Sequence, residues 1–225
     1  LTEISKLVVE ENADLGIVVD PDVDRLALVC EDGSMFGEEY TLVTVSDFVL
    51  SKTPGNTVSN LSSTRALRDI TNNHKCNYES SAVGEVNVVE KMKATNAIIG
   101  GEGNGGIIYP ELHYGRDALV GIALFLTQLA EKKISIKELR DFYPNYFISK
   151  NKIQLTPEID VDAILTTLEE KYKNEQITTI DGLKIDFQEG WVHLRKSNTE
   201  PIIRIYAESE GEEKANKFAN DMINE

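Results

Sequence analysis

Short apolar runs alternating with amphipathic stretches of about ten residues constrain this chain more than any other feature, because that rhythm builds a largely parallel, helix-covered sheet. Ile4, Leu7 and Val8 stand at helical spacing within the first fifteen residues. The apolar run 15–19 stops at Asp20-Pro21, and its length and β-branched content predict a buried strand. A second strand is expected over 25–30, closed by the turn Glu31-Asp32-Gly33-Ser34. Leu42, Val43, Val45, Phe48 and Val49 predict a helix over 38–51, ended by Pro54-Gly55. The alternation continues with strand 57–61, helix 64–72, a strand near Tyr78, helix 85–93 and strand 97–100. After a glycine-rich loop, 117–132 is the strongest helix, with Leu119, Ile122, Ala123, Phe125, Leu126 and Leu129 as its apolar face. A short helix is expected over 137–142, and Pro144-Asn145 marks a boundary.

Beyond that boundary strand signals cluster at 147–155, 178–180, 183–187, 191–195 and 202–207, with helices at 160–173 and 211–224. The expected fold is therefore α/β, a mixed and mostly parallel sheet covered by helices, followed by a smaller C-terminal α+β domain. With 41% apolar residues in 225, a real core can form. Thirty-eight acidic residues against 23 basic give a net charge of −15, which argues against nucleic acid as a partner. No run approaches the roughly 18 apolar residues of a membrane span. Two cysteines, Cys30 and Cys76, are too few for a disulfide framework, and no secretory leader opens the chain, so a cytoplasmic setting is expected.

Three loops carry the chemistry. In Asp20-Pro21-Asp22-Val23-Asp24-Arg25, carboxylates at every second position can turn to one side and hold a hard divalent cation such as Mg²⁺ or Ca²⁺. A solvated acidic turn is the plain alternative. An EF-hand is excluded, since Arg25 stands where its loop needs glycine and the flanks read as strands. A haloacid-dehalogenase-like phosphotransferase, with Asp20 as nucleophile and Asp22 as its acid/base partner, stays as a rival. It lacks the second acidic pair downstream, where Ile99-Gly100-Gly101-Glu102 stands. The second loop, 100–106, matches a dinucleotide pattern formally, but Ile107-Ile108-Tyr109-Pro110 breaks the helix that pattern needs. Its Glu102 and Asn104 suit sugar hydroxyls instead. In the third, Arg195-Lys196-Ser197-Asn198-Thr199-Glu200-Pro201 with Arg204 beyond, guanidiniums, hydroxyls and an amide form a phosphate cradle. A polar hairpin is the alternative there. Metal, hydroxyls and phosphate together describe a sugar phosphate.

In this order and spacing, the three loops resemble those of the α-D-phosphohexomutases, the phosphoglucomutase, phosphomannomutase and phosphoglucosamine mutase family. Pro21 and Val23 stand where that family often has glycines, and Asn104 where many bacterial members have Ser. The resemblance implies four domains around a central cleft, of which this chain holds the last portion. Residues 1–33 would end the second domain with the metal loop, 34–146 form the third with the sugar loop, and 147–225 the fourth with the phosphate loop. The family's phosphoserine loop usually reads Ser-His-Asn-Pro; no such string occurs here, so a fragment without the nucleophile, inactive alone, is expected.

For the complete enzyme the resemblance implies interconversion of hexose 1-phosphate and 6-phosphate through a bisphosphorylated sugar, with a glucose-1,6-bisphosphate-type activator. Asp20, Asp22 and Asp24 would hold Mg²⁺, with Arg25 assisting catalysis. Glu102 and Asn104 would hold the sugar, and Arg195, Ser197, Asn198, Thr199 and Arg204 the non-reacting phosphate. The implied partners are a sugar phosphate and the protein's own N-terminal domains. A non-catalytic sugar-phosphate binding module is the other alternative. Ser62 and Glu85 replace a Lys and a His found in some members, a change expected to favour an amino sugar, although glucose and mannose phosphates stay open.

Overall fold

Helix α1 (Thr2–Glu10) leads into β1 (Leu15–Val19) and β2 (Leu26–Cys30), which pair antiparallel with Val19 opposite Leu26, so the acidic loop is the connection between them. This computed structural model describes residues 1–156, 159–197 and 200–224, and falls into two compact units, Leu1–Pro144 and Asn145–Glu225. β1 is not the buried strand its composition predicts. Gly16 alone among its residues is buried, while Ile17 and Val19 are exposed. An apolar run cannot say how many faces will be covered, and a two-stranded ribbon with α1 on one side covers one. Gly16 is what lets α1 close in: a Cβ there would lie 2.9 Å from Val8 Cγ2.

Helix α2 (Glu38–Lys52) is buried on almost every side and touches β2, a four-stranded sheet and two neighbouring helices. The sheet has the order β4 (Tyr78–Ser81), β3 (Asn56–Asn60), β5 (Ala97–Glu102), β6 (Gly106–Ile108). β3 runs parallel to β4 and β5; β6 is antiparallel to β5. Helices α3 (Ala66–Asn73) and α4 (Glu85–Thr95) make the crossovers, and Val58, Val88, Met92, Ala97 and Ile108 form the core between α4 and the sheet. The expected α/β architecture with a mixed, mostly parallel sheet is what forms. The glycine-rich segment is no open loop, however: β5 continues to Glu102 and returns as β6 in a tight hairpin.

Helix α5 (Ala118–Lys132) also departs from expectation. Ala118, Gly121, Phe125 and Gln128 face the core, whereas Leu119 and Leu126 are exposed. Ala118 and Gly121 at the start of the inner stripe let α5 approach closely; a Cβ on Gly121 would lie 2.6 Å from Ile107 Cδ1. Helix α6 (Ile136–Asp141), with a capping box at Ser135 and Glu138, completes the first unit.

The second unit is an antiparallel sheet in the order β7 (Tyr146–Gln154), β11 (Ile202–Glu210), β10 (Gly190–Lys196), β9 (Leu183–Phe187), β8 (Gln176–Thr178). Helices α7 (Val161–Lys171) and α8 (Glu212–Ile223) supply Val161, Leu168, Ala219 and Met222 to a core shared with Ile185, Val192 and Ile205. The alternate residues of β10 are buried as well. Trp191 Nε1 donates to Glu208 Oε1 at 2.7 Å, and His193 Nε2 lies 2.7 Å from the Asp181 carbonyl oxygen.

Burial holds the His193 pKa down at about 4, with the Lys184 and Arg195 charges adding to the effect against the Asp181 hydrogen bond. A histidine whose folded pKa lies below its unfolded value of about 6.5 stabilises the fold fully above that value, and the contribution is lost as pH falls towards 4. The loss expected across that window is about 3 kcal/mol. Trp191, the single tryptophan, reports unfolding of this unit. Urea titrations followed by its fluorescence should show that decline in the native chain and a flat response in His193→Gln.

Candidate functional site

The turn between β1 and β2 is held by its own first carboxylate. The backbone N–H groups of Asp24 and Arg25 both donate to Asp20 Oδ1, each at 3.1 Å, and Val23 N–H donates to the Asp20 carbonyl at 3.0 Å. This closure forces Val23 to φ +57°, a left-handed conformation costly for a β-branched residue. It also folds the three carboxylates together, with one oxygen each from Asp20, Asp22 and Asp24 within 4.8 Å of one another. Asp24 Oδ1 is buried without a hydrogen-bond partner, its nearest recorded cation being Arg25 Nε at 3.5 Å. Burial and then the neighbouring Asp20 carboxyl push the Asp24 pKa up, against the pull of Arg116. Burial also opposes charge on Asp20, but the N–H donors of Arg25 and Asp24 outweigh it and bring that pKa down. A buried carboxylate oxygen without a hydrogen bond, in an all-oxygen donor set, fits a hard divalent cation such as Mg²⁺.

Arg116, which no motif singles out, organises the surroundings. It precedes the α5 N-cap Asp117 and is bridged to Ile108 of β6. Its guanidinium pairs with Asp24 through Nη2, with Glu85 Oε2 through Nε at 3.1 Å, and with Glu102 Oε2 through Nη1 at 3.3 Å. Its backbone N–H donates to Glu85 Oε1 as well. Glu102 is buried and receives two further bonds on Oε1, from Asn60 Nδ2 at 2.7 Å and Gly84 N–H at 3.2 Å. Asn104 Oδ1 accepts from Gly106 N–H, which fixes the hairpin turn. The Glu85 carboxylate, expected from the sequence near the glycine-rich segment, is held by the Arg116 guanidinium that it shares with Asp24 and Glu102.

The hairpin is docked tightly onto the acidic loop's strand. Leu26 N–H donates to the Gly105 carbonyl at 3.1 Å, and Ala118 N–H donates to the Val23 carbonyl at 3.1 Å. Gly105 has φ +85°, and a Cβ there would come within 2.3 Å of the Leu26 carbonyl oxygen. The acidic turn, the hairpin and the α5 N-terminus thus form one bonded assembly within the first unit.

In the second unit Arg195 on β10 and Arg204 on β11 are direct cross-strand partners. Like charges placed opposite repel unless something negative lies between or beside them. Asp181 Oδ2 lies 3.6 Å from Arg195 Nη1, and Glu200 Oε2 accepts from Arg204 Nη2 at 3.2 Å. Both Nε atoms are nevertheless buried without a hydrogen-bond partner. Ser197 N–H donates to the Ile202 carbonyl and Ser197 Oγ accepts from Glu200 N–H, closing the turn. Asn198 and Thr199 lie outside the described residues. Asp181, on the stretch before β9, is a contributor that sequence spacing does not reveal.

Two outcomes are expected from the strained and crowded positions. Val23→Gly should stabilise the chain by about 1 kcal/mol, since relief of the left-handed strain exceeds the extra chain entropy of glycine. Gly105→Ala should destabilise it by at least about 2 kcal/mol through both φ and the Leu26 clash. Thermal unfolding of the two variants beside the native chain measures both signs.

Comparison with known proteins is consistent across the chain. Residues 37–146 match the family description phosphoglucomutase/phosphomannomutase alpha/beta/alpha domain III, and residues 150–225 match the phosphoglucomutase/phosphomannomutase C-terminal domain. The chain is 33% identical over 227 residues to the phosphoglucosamine/phosphogalactosamine mutase of Sulfurisphaera tokodaii, covering 99% of this chain and 50% of that protein. It is 35% identical over 209 residues to a phosphoglucomutase/phosphomannomutase of Thermococcus kodakarensis, covering 92% and 45%. The chain thus spans about half the length of the curated relatives it matches. Among solved structures, a phosphoglucomutase/phosphomannomutase family protein of Burkholderia thailandensis superposes with a TM-score of 0.84 at 23% identity, over 100% of this chain and 48% of that one. N-acetylphosphoglucosamine mutase of Aspergillus fumigatus, solved with GlcNAc-6P and magnesium, gives 0.67 at 15% identity, over 92% and 51%. With both of its units matched by family descriptions, this chain belongs to the phosphoglucomutase/phosphomannomutase family.

Proposed function

We propose that the chain supplies the metal, sugar and phosphate sites of a hexose-phosphate mutase. In this reading the complete protein interconverts hexose 1-phosphate and 6-phosphate through a bisphosphorylated sugar, and a phosphoserine outside these 225 residues carries the transferred group. The observation that carries the reading is the bonded assembly of the Asp20–Asp22–Asp24 cluster and the Glu102 hairpin through Arg116. Phosphoryl transfer depends mainly on positioning and charge stabilisation, which these groups are arranged to provide.

Asp20, Asp22 and Asp24 would hold Mg²⁺, which when bound offsets the charge of phosphoryl oxygens. Arg25, half exposed beside Asp20 and Asp24, is placed to reach a phosphoryl oxygen as well. Glu102 and Asn104 would present carboxylate and amide to sugar hydroxyls. Arg195 and Arg204, with Ser197, Asn198 and Thr199, would grip the phosphate that does not react, and an anion between the two guanidiniums would meet their unpaired Nε groups. Glu85 is paired with Arg116, which it shares with Asp24 and Glu102; the substrate class is hexose phosphate, with glucose, mannose and glucosamine phosphates all inside it. This chain alone, lacking a phosphoserine loop, would bind without turnover. The free thiols Cys30 and Cys76 fit a reducing, cytoplasmic setting.

The test is conversion of glucose, mannose or glucosamine 1-phosphate to the 6-phosphate by the full-length protein, with Mg²⁺ and glucose-1,6-bisphosphate. Activity should be abolished by chelation, and the absence of conversion with all three sugars would overturn the reading. Arg204→Gln should weaken sugar-phosphate binding about tenfold or more, by loss of a charge-assisted contact. Acyl phosphate trapped on Asp20 would favour the Asp-nucleophile phosphotransferase instead.

A further inference from the structure

Arg116 is one guanidinium shared by three carboxylates from three separate segments: Asp24 of the acidic turn, Glu85 at the start of α4, and Glu102 at the end of β5. It is mostly buried, and so are Asp24 and Glu102, so these pairs are only weakly screened by solvent. One positive charge cannot satisfy three negative ones. Whatever changes the demand of one carboxylate therefore changes what the guanidinium offers the other two.

Asp24 is the member whose demand can change. Its Oδ2 faces Arg116, while its Oδ1 is buried without a hydrogen bond beside Asp20 and Asp22. A dication at that cluster would draw on the Asp24 carboxylate and repel the neighbouring guanidinium. The guanidinium keeps Glu85 and Glu102 as alternative partners, and Glu102 is the hairpin carboxylate assigned to the sugar in the proposed function. We propose that Arg116 couples metal occupancy to the sugar hairpin: it holds Asp24 when the cluster carries no cation, and its charge passes to Glu102 and Glu85 when a divalent cation claims Asp24. Metal and sugar sites then respond to each other through one side chain, and the coupling is reciprocal. This rests on the metal role proposed for the acidic cluster.

A scaffold role for Arg116 and a coupling role predict opposite signs, which makes the test decisive. Mg²⁺ affinity is measured by calorimetry on the full-length protein, and hydrogen exchange of the peptide spanning 102–108 is followed with and without Mg²⁺. In the native protein Mg²⁺ should alter exchange in that peptide. Arg116→Gln removes the competitor for Asp24, so Mg²⁺ should bind about fivefold more tightly or better, and the peptide should no longer respond. Arg116→Lys keeps a charge but not the fork, and should restore weaker Mg²⁺ binding without restoring the response.

Glu85→Gln provides a second route should Arg116→Gln fail to fold. It frees the guanidinium from one partner, strengthens its hold on Asp24, and should weaken Mg²⁺ binding severalfold. Unchanged or weaker Mg²⁺ binding in a folded Arg116→Gln, or unchanged binding in Glu85→Gln, overturns the coupling and leaves the metal site standing. Absence of Mg²⁺ binding in the native protein overturns the metal role itself, and the coupling with it.

Discussion

Three carboxylates converging on the Arg116 guanidinium are the constraint on which the first unit's site depends. Glu102 is buried, and a buried carboxylate is tolerable only when paired and hydrogen-bonded. Arg116, Asn60 and the Gly84 N–H meet that need together, so each of their segments must arrive in register for any to be stable. Breaking a buried pair by removing one partner typically costs about 3–5 kcal/mol. The assembly is thus a condition of the local fold as well as a feature of its chemistry. The same pairs hold the acidic turn against the hairpin, which is how the aspartate cluster and the glycine hairpin come to share one framework.

The second unit meets a related problem differently. Arg195 and Arg204 stand opposite each other on adjacent strands, a placement that costs energy without a negative partner. Asp181 and Glu200 supply part of that charge from the sides, and the two buried Nε groups stay unpaired. A pair of half-satisfied guanidiniums in a chain of net charge −15 is a local excess of donors against an acidic background. His193 anchors the Asp181 carbonyl in turn, so the buried imidazole has a structural link to the Arg195–Arg204 pair.

Much of this was legible in the residues. The alternation of strands and helices, the C-terminal α+β unit with its clustered strands, and the positions of the loops at Asp20–Arg25, Glu102–Asn104 and Arg195–Arg204 follow from local pattern, whereas the antiparallel pairing of the second sheet does not. The misjudged parts share a physical cause. β1 is apolar yet open on one face, and α5 buries Gly121 and Gln128 while leaving Leu119 in solvent, because coverage depends on which neighbours arrive. The glycines at 101, 103, 105 and 106 make a hairpin rather than an open loop, and the close approach of Gly103 to Glu39 and of Gly105 to Leu26 appears only once those residues are in place.

The sequence by itself determined the chemical inventory: alternating aspartates that converge once a turn closes on Asp20, a glycine-punctuated carboxylate, and a donor-rich turn between strands. These are short-range facts, set by spacing and side-chain chemistry within a few residues. Only the tertiary structure decided that Arg116 pairs with Glu85 and ties Asp24 to Glu102, that Arg195 faces Arg204, and that Asp181 stands beside them. The reason is that electrostatic partners distant along the chain carry no spacing signature. Their pairing is fixed by the register of strands and the approach of helices, and it acquires its strength only after burial has removed the water that would have screened it.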